Sequence, residues 1–171
     1  SYNANKIITA GGGGMIITDC ADFAKKAKHL TTTAKLPHRY EFVHDEIAFN
    51  YRLTNVNAAI GVAQMEQIDK RLINKRETAA KYHEFFKTVG VKSFSEPENT
   101  KANYWLNAIL LNNLEERNSF LEYSNNNGVM TRPVWKLLNK LEMYKNCQHG
   151  NLENSEWLEE RVVSIPSGVR L

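Results

Sequence analysis

The chain has 171 residues, 42% of them hydrophobic and 24% charged, with a formal net charge of +3 at pH 7. That length can hold one sizeable core or two small units, and the apolar content excludes disorder as the main state. No apolar run approaches the ~18–20 residues of a membrane-spanning helix, the mild charge does not point to nucleic acid, and no basic-then-apolar leader opens the sequence.

Residues 6–10 and 15–19 are short β-type runs on either side of a glycine run at 11–14, which predicts two strands around a tight connection. Thr18 or Asp19 then caps a predicted helix over 20–30, with Phe23, Ala24, Ala27 and Leu30 on one face. Residues 31–53 show no clear period; stretches of this kind often carry function. From 55 to 88, Val56, Ala59, Ile60, Ala63, Leu72, Ala79, Tyr82 and Phe86 keep a helical period, which predicts one long helix ended by Gly90. A short strand follows at 91–94, and the polar stretch 95–102 opens a second unit.

That unit has an α/β rhythm. A strand is predicted over 104–111. Asn113 and Glu116 have the form of a capping box, opening a helix that runs to 126 and is closed by Gly128. A strand over 129–131, an irregular stretch over 133–150 with one helical turn, a helix over 152–161 and a strand over 162–165 complete the chain. The sequence starts at Ser1 and stops at Val169-Arg170-Leu171, close to strand-like runs at both ends and without polar fraying, which suggests a piece of a longer protein.

Taken singly, the polar residues say little. A lysine near a terminus, such as Lys6, is ordinarily a solvated charge. The glycine run is not a GxGxxG after a strand, so it predicts no dinucleotide site. His38, His44, Asp45 and Glu46 match no zinc or iron spacing, and no metal site is expected. Asp45 and Glu46 are adjacent and would point in different directions, which disfavours glycoside chemistry. Cys20 and Cys147 form no CxxC and fit a reducing cytoplasm.

Taken together, the residues are more specific. Ser1-Tyr2-Asn3-Ala4-Asn5-Lys6, with Thr9 and the glycine run, resembles the segment that carries the cofactor lysine in the DegT/DnrJ/EryC1/StrS family. Those enzymes are nucleotide-sugar aminotransferases that use pyridoxal 5'-phosphate (PLP). Phe42-Val43-His44, Ala48-Phe49-Asn50-Tyr51-Arg52-Leu53 and Asn57-Ala58-Ala59 resemble a second stretch of the family. The segment GVMTRPVW, from Gly128 to Trp135, resembles the family's sugar-site region, nearest to the branch acting in legionaminic-acid-type pathways. Gly12 stands where the family has a glutamate, Ala48 where it has a glycine, and Asn139 where relatives often have a histidine.

The resemblance implies an α/β, aspartate-aminotransferase-like PLP fold, present in part as the carboxy-terminal half. Residues 1–54 would be the end of the large PLP-binding domain, 55–88 a long linking helix, and 89–171 the small α/β domain. Lys6 would hold PLP and move the proton of the transfer, a role that needs a neutral amine. Ser1 would bind the cofactor phosphate, and Asn50 would do so from the neighbouring subunit of a homodimer with shared active sites. Arg132 and Trp135 would face a nucleotide-linked 4-keto sugar, and the amino-acid donor would be glutamate. Arg52 suits a phosphate or an ion pair, and His44 a structural role. The aspartate that pairs with the ring nitrogen lies in the family's other half, so the isolated segment is expected to be inactive. The expected setting is cytoplasmic synthesis of bacterial surface sugars. Alternatives are another PLP enzyme of this fold, such as a sugar dehydratase, against which Lys6 argues, or a generic amino-acid aminotransferase, against which the Asn50 segment argues, or a non-enzymatic interaction remnant.

Overall fold

The computed structural model describes residues 1–169; Arg170 and Leu171, part of the expected chain end, lie outside the described residues. The chain divides into two compact units, Ser1–Asp69 and Lys70–Leu171.

In the first unit, α1 spans Ala21–Thr31. Its N-cap is Cys20 with no side-chain cap, not Thr18 or Asp19. Thr18 acts one step earlier, its Oγ1 accepting the Cys20 N–H at 3.1 Å. The helix closes when the Ala34 N–H donates to the His29 carbonyl at 2.8 Å. That closure puts Thr33 (φ 67°) and Ala34 (φ 48°) in the left-handed region, where glycine is usual. The predicted strands over 6–10 and 15–19 do not form. Residues 1–14 instead fold back on themselves: the Tyr2 N–H donates to the Gly13 carbonyl at 2.9 Å, and the Ala10 N–H to the Tyr2 carbonyl at 3.0 Å.

The expected single helix over 55–88 is two helices, α2 (Asn55–Met65) and α3 (Ile68–Thr88). Between them the Gln67 N–H turns back to the Gln64 carbonyl at 3.2 Å. The sequence has a reason for the break. Ala63 and Leu72 are nine residues apart, about two and a half turns, so one straight helix would aim them at opposite faces. Thr54 caps α2 by accepting the Asn57 N–H.

The second unit is built on a four-stranded antiparallel sheet in the order β1-β2-β4-β3. The strands are β1 (Lys92–Ser93), β2 (Asn107–Leu110), β3 (Arg132–Pro133) and β4 (Val162–Ile165). Its core is Ile109, Leu111, Val163 and Ile165. Tyr82 and Phe86 of α3, and Phe120 and Leu121 of α4 (Leu114–Asn126), pack against that cluster. At the start of α4 the Asn113 cap forms, and Glu116 reaches back to the residue before the cap rather than to the cap's own N–H. The Glu116 N–H donates to Asn113 Oδ1 at 2.9 Å, and the Glu116 carboxylate accepts the Asn112 N–H at 2.8 Å. At its end Gly128 (φ 76°) completes a Schellman motif, the Val129 N–H reaching the Ser124 carbonyl at 2.8 Å.

Val129 is thus used to close α4, and the expected strand over 129–131 moves on to β3. Pro133 is tolerated there because β3 is an edge strand. The stretch 133–150 holds two short 3₁₀ turns, Leu138–Lys140 and Glu142–Tyr144, and α5 is Glu153–Glu159. Among the described residues no helix is long and apolar enough to cross a membrane.

Candidate functional site

The loop that carries Lys6 is fixed from both sides. Thr9 Oγ1 donates to the Tyr2 carbonyl at 3.2 Å and accepts the Gly11 N–H at 3.0 Å. Asn57 Nδ2, one turn into α2, donates to the carbonyl of the fully buried Ala10. Gly13 is the constrained glycine of the run: it sits at φ 87°, and a Cβ there would lie 2.7 Å from Leu53 Cδ1. Lys6 itself is partly buried, and its N–H donates to the Asn3 carbonyl at 3.0 Å. Ser1 is exposed, its Oγ accepting the Asn3 N–H at 3.5 Å.

Asn50 stands elsewhere in the same unit, exposed, on a short antiparallel pairing with Thr32. Phe49 and Tyr51 flank it, and their rings stack at 5.0 Å. Successive side chains alternate in β-type backbone, so Asn50 falls on the other face from that stack. Arg52 is exposed beside it.

Arg132 and Trp135 belong to the second unit. Arg132 Nη1 is 3.4 Å from Asn125 Oδ1 and 3.4 Å from the Thr131 carbonyl, and the Trp135 side chain is 71% exposed. The structure therefore groups Ser1, Lys6 and Asn50 in one unit and Arg132 and Trp135 in the other.

Three features escaped the single-residue reading of the sequence. Asn57 anchors the lysine loop, and its only signal was its place in the Asn57-Ala58-Ala59 stretch. His29 Nε2 meets Asp45 Oδ1 at 2.6 Å, a hydrogen bond that holds the Asp45 carboxyl below the usual carboxylate range. Glu46 pairs with Lys26. His29, Asp45 and Glu46 lie close enough to share an ion, but these exposed pairings already account for them. Finally, an open groove of about 740 Å³ is lined by Met15, Ile17, Ala24, Ala27, Lys28 and Tyr51. None of the expected site residues lines it, and its walls are mostly apolar.

The donor set fits a cofactor that carries an aldehyde and a phosphate. Lys6 offers a primary amine, and Ser1 and Asn50 offer neutral hydrogen-bond donors. No carboxylate occurs before Asp19 to repel a phosphate.

Comparison with known proteins agrees. The family model described as "DegT/DnrJ/EryC1/StrS aminotransferase family" matches residues 1–171. GDP-perosamine synthase of Escherichia coli O157:H7 is 34% identical over 169 residues, covering 98% of this chain and 46% of that protein. Helicobacter pylori PseC, an aminotransferase involved in the biosynthesis of pseudoaminic acid, superposes with a TM-score of 0.89 at 21% identity, covering 97% of this chain and 46% of that one. The PLP form of Spr1654 from Streptococcus pneumoniae gives a TM-score of 0.83 at 17% identity, covering 100% of this chain and 46% of that one. The chain thus spans about half the length of the relatives it matches, and its fold is the mixed α/β, partial aspartate-aminotransferase-like one expected. With the family model matched from the lysine loop to the last residue, the chain belongs to the DegT/DnrJ/EryC1/StrS aminotransferase family.

Proposed function

We propose that the full-length protein transfers an amino group from glutamate to a 4-keto nucleotide sugar, with PLP as cofactor, for bacterial surface-sugar synthesis in the cytoplasm. The observation that carries this is the family match over residues 1–171; Lys6 lies in the segment that resembles the family's cofactor-lysine motif. PLP, when bound, supplies an electron sink for charge that develops at the donor Cα. Lys6 holds the cofactor through Nζ and, as a neutral amine, carries a proton to and from the donor Cα. Ser1 and Asn50 donate hydrogen bonds to the phosphate, Asn50 from the neighbouring subunit of a homodimer. Arg132 presents a guanidinium suited to a diphosphate, and the exposed Trp135 ring a face for the sugar or base.

In this reading, residues 1–54 end the large domain, 55–88 link the domains, and 89–171 form the small one. The segment alone is inactive, because the partner of the ring nitrogen belongs to the half it lacks. Lys6 favours amino transfer over dehydration. The relation to GDP-perosamine synthase supports a GDP-linked sugar, while the GVMTRPVW segment supports a legionaminic-type one.

The test is to incubate the full-length polypeptide with PLP, L-glutamate and, in parallel, GDP-linked and UDP-linked 4-keto sugars. Appearance of the amino sugar with one of them, lost in Lys6→Ala, supports the proposal. Turnover that survives Lys6→Ala, or none with any keto sugar, contradicts it.

A further inference from the structure

The chain holds two consecutive non-glycine residues, Thr33 and Ala34, in left-handed backbone. Such residues are strained, and outliers of this kind persist only where the surroundings over-determine them. Here they do. The Thr33 carbonyl accepts a hydrogen bond from His44 Nδ1 at 2.7 Å. The Thr33 N–H donates to the Phe49 carbonyl at 3.1 Å, and the Ala34 carbonyl accepts the Asp45 N–H at 3.2 Å. Ala34 is completely buried, and the His29–Asp45 pair closes the same excursion from the helix side.

The strained turn leads directly to Asn50. Thr32 is bridged to Asn50, the Phe49 N–H donates to the Leu30 carbonyl at 3.0 Å, and the Tyr51 N–H to the Thr31 carbonyl at 2.9 Å. The end of α1 and the backbone on both sides of Asn50 therefore form one hydrogen-bonded piece. Among the described residues, His44 is the side chain that bonds a strained residue's carbonyl from the far limb of the excursion. Its requirement is specific: a carbonyl needs a donor, so His44 must carry its proton on Nδ1.

We infer that His44 is a positioning residue that latches the strained Thr33–Ala34 turn and so fixes the direction in which Asn50 presents its amide to the cofactor phosphate. The inference rests on the proposed role of Asn50 as a phosphate ligand, and the test separates the two.

The experiment measures PLP dissociation constants by absorbance titration of the apo, full-length polypeptide. It is paired with hydrogen exchange at the Phe49 and Tyr51 amides without cofactor. Asn50→Ala is expected to weaken PLP binding about ten- to a hundredfold, the scale of one hydrogen bond to a charged group. His44→Ala is expected to weaken it by a similar factor and to speed exchange at both amides. The double variant should bind no more weakly than Asn50→Ala alone, because the two act as one unit. His44→Asn, whose amide can replace the Nδ1 donor, and Thr33→Gly in the His44→Ala background, which removes strain, should each recover binding. A His44→Ala variant that loses binding without recovery in either rescue marks a general folding defect and overturns the latch. Normal PLP affinity in His44→Ala, with Asn50→Ala weakened, overturns the latch and leaves the Asn50 reading standing. Normal affinity in Asn50→Ala removes the Asn50 reading, and the latch with it.

Discussion

Replacing Thr131 tests whether the segment leading to Arg132 is held by a buried hydroxyl chain. Thr131 is 1% exposed, and its Oγ1 lies 2.6 Å from Ser124 Oγ. Ser124 Oγ in turn donates to the Phe120 carbonyl at 2.7 Å, and Asn125 Nδ2 donates to Thr131 Oγ1 at 3.0 Å. With the Ser124 proton on Phe120, the Thr131 hydroxyl is the donor between the two side chains. Thr131→Val keeps the shape but strands one lone pair of Ser124, which should cost about 1–2 kcal/mol. Ser124→Ala strands the Thr131 donor and should cost about 1–3 kcal/mol. The double variant removes both ends of the bond, so it should be less destabilised than the sum of the singles by about 1 kcal/mol. All three tryptophans, Trp105, Trp135 and Trp157, lie in Lys70–Leu171. Urea unfolding followed by tryptophan fluorescence therefore reads this unit. Singles that add within about 0.3 kcal/mol would show that the two hydroxyls do not act together and would refute the reasoning.

Two further predictions concern the loops. Arg76 holds Glu96 through paired bonds of 3.0 and 2.6 Å, with the Ala102 N–H adding a third at 2.7 Å, and the Arg76 bond first and the Ala102 bond second pull the carboxyl down to about 2. The folded value lies below the unfolded one of about 4.3, so this stabilisation is complete above the unfolded value and disappears as the pH falls toward the folded one. Glu96→Gln should flatten that part of the acid-unfolding curve seen by tryptophan fluorescence, and an unchanged acid limb would count against the pairing. Gly13→Ala places a Cβ 2.7 Å from Leu53 Cδ1 at a φ of 87° and should open the Lys6 loop by about 1–3 kcal/mol. Faster hydrogen exchange at the Tyr2 amide, which donates to Gly13, would report it; unchanged exchange would contradict the close approach.

Local chemistry made some elements legible. The capping signal at Asn113 and Glu116 and the glycine at 128 fixed α4 at both ends, because these signals act within a few residues. The strand over 162–165 was equally clear, since three of its four residues are buried. Elements that depend on distant partners were not. Met15, Ile16 and Ile17 have strand composition, yet among the described residues no backbone hydrogen bond meets them, and they are 66%, 69% and 85% exposed. Composition reports that a segment suits a sheet and not whether the sheet is there. The break between α2 and α3 carries no glycine or proline and shows only in the phase of the apolar residues. The left-handed turn that follows α1 is hidden in the sequence, because Thr33 occupies a position that ordinarily announces itself as glycine.

The site divides in the same way. Lys6, Ser1 and Asn50 are candidates through the family resemblance, and the structure sets them on a loop and a pairing that periodicity could not foresee. The anchors behind them, Asn57 on Ala10 and His44 on Thr33, are long-range bonds between polar side chains and backbone carbonyls. No local pattern in a single sequence encodes such bonds.

The most direct measurement of the central claim is chemical. The full-length polypeptide is loaded with PLP, reduced with borohydride, digested, and the modified peptide identified by mass. The account predicts a pyridoxyl group on Lys6, absent from Lys6→Ala. A label on another lysine, or none in a protein shown by circular dichroism to be folded, would contradict it.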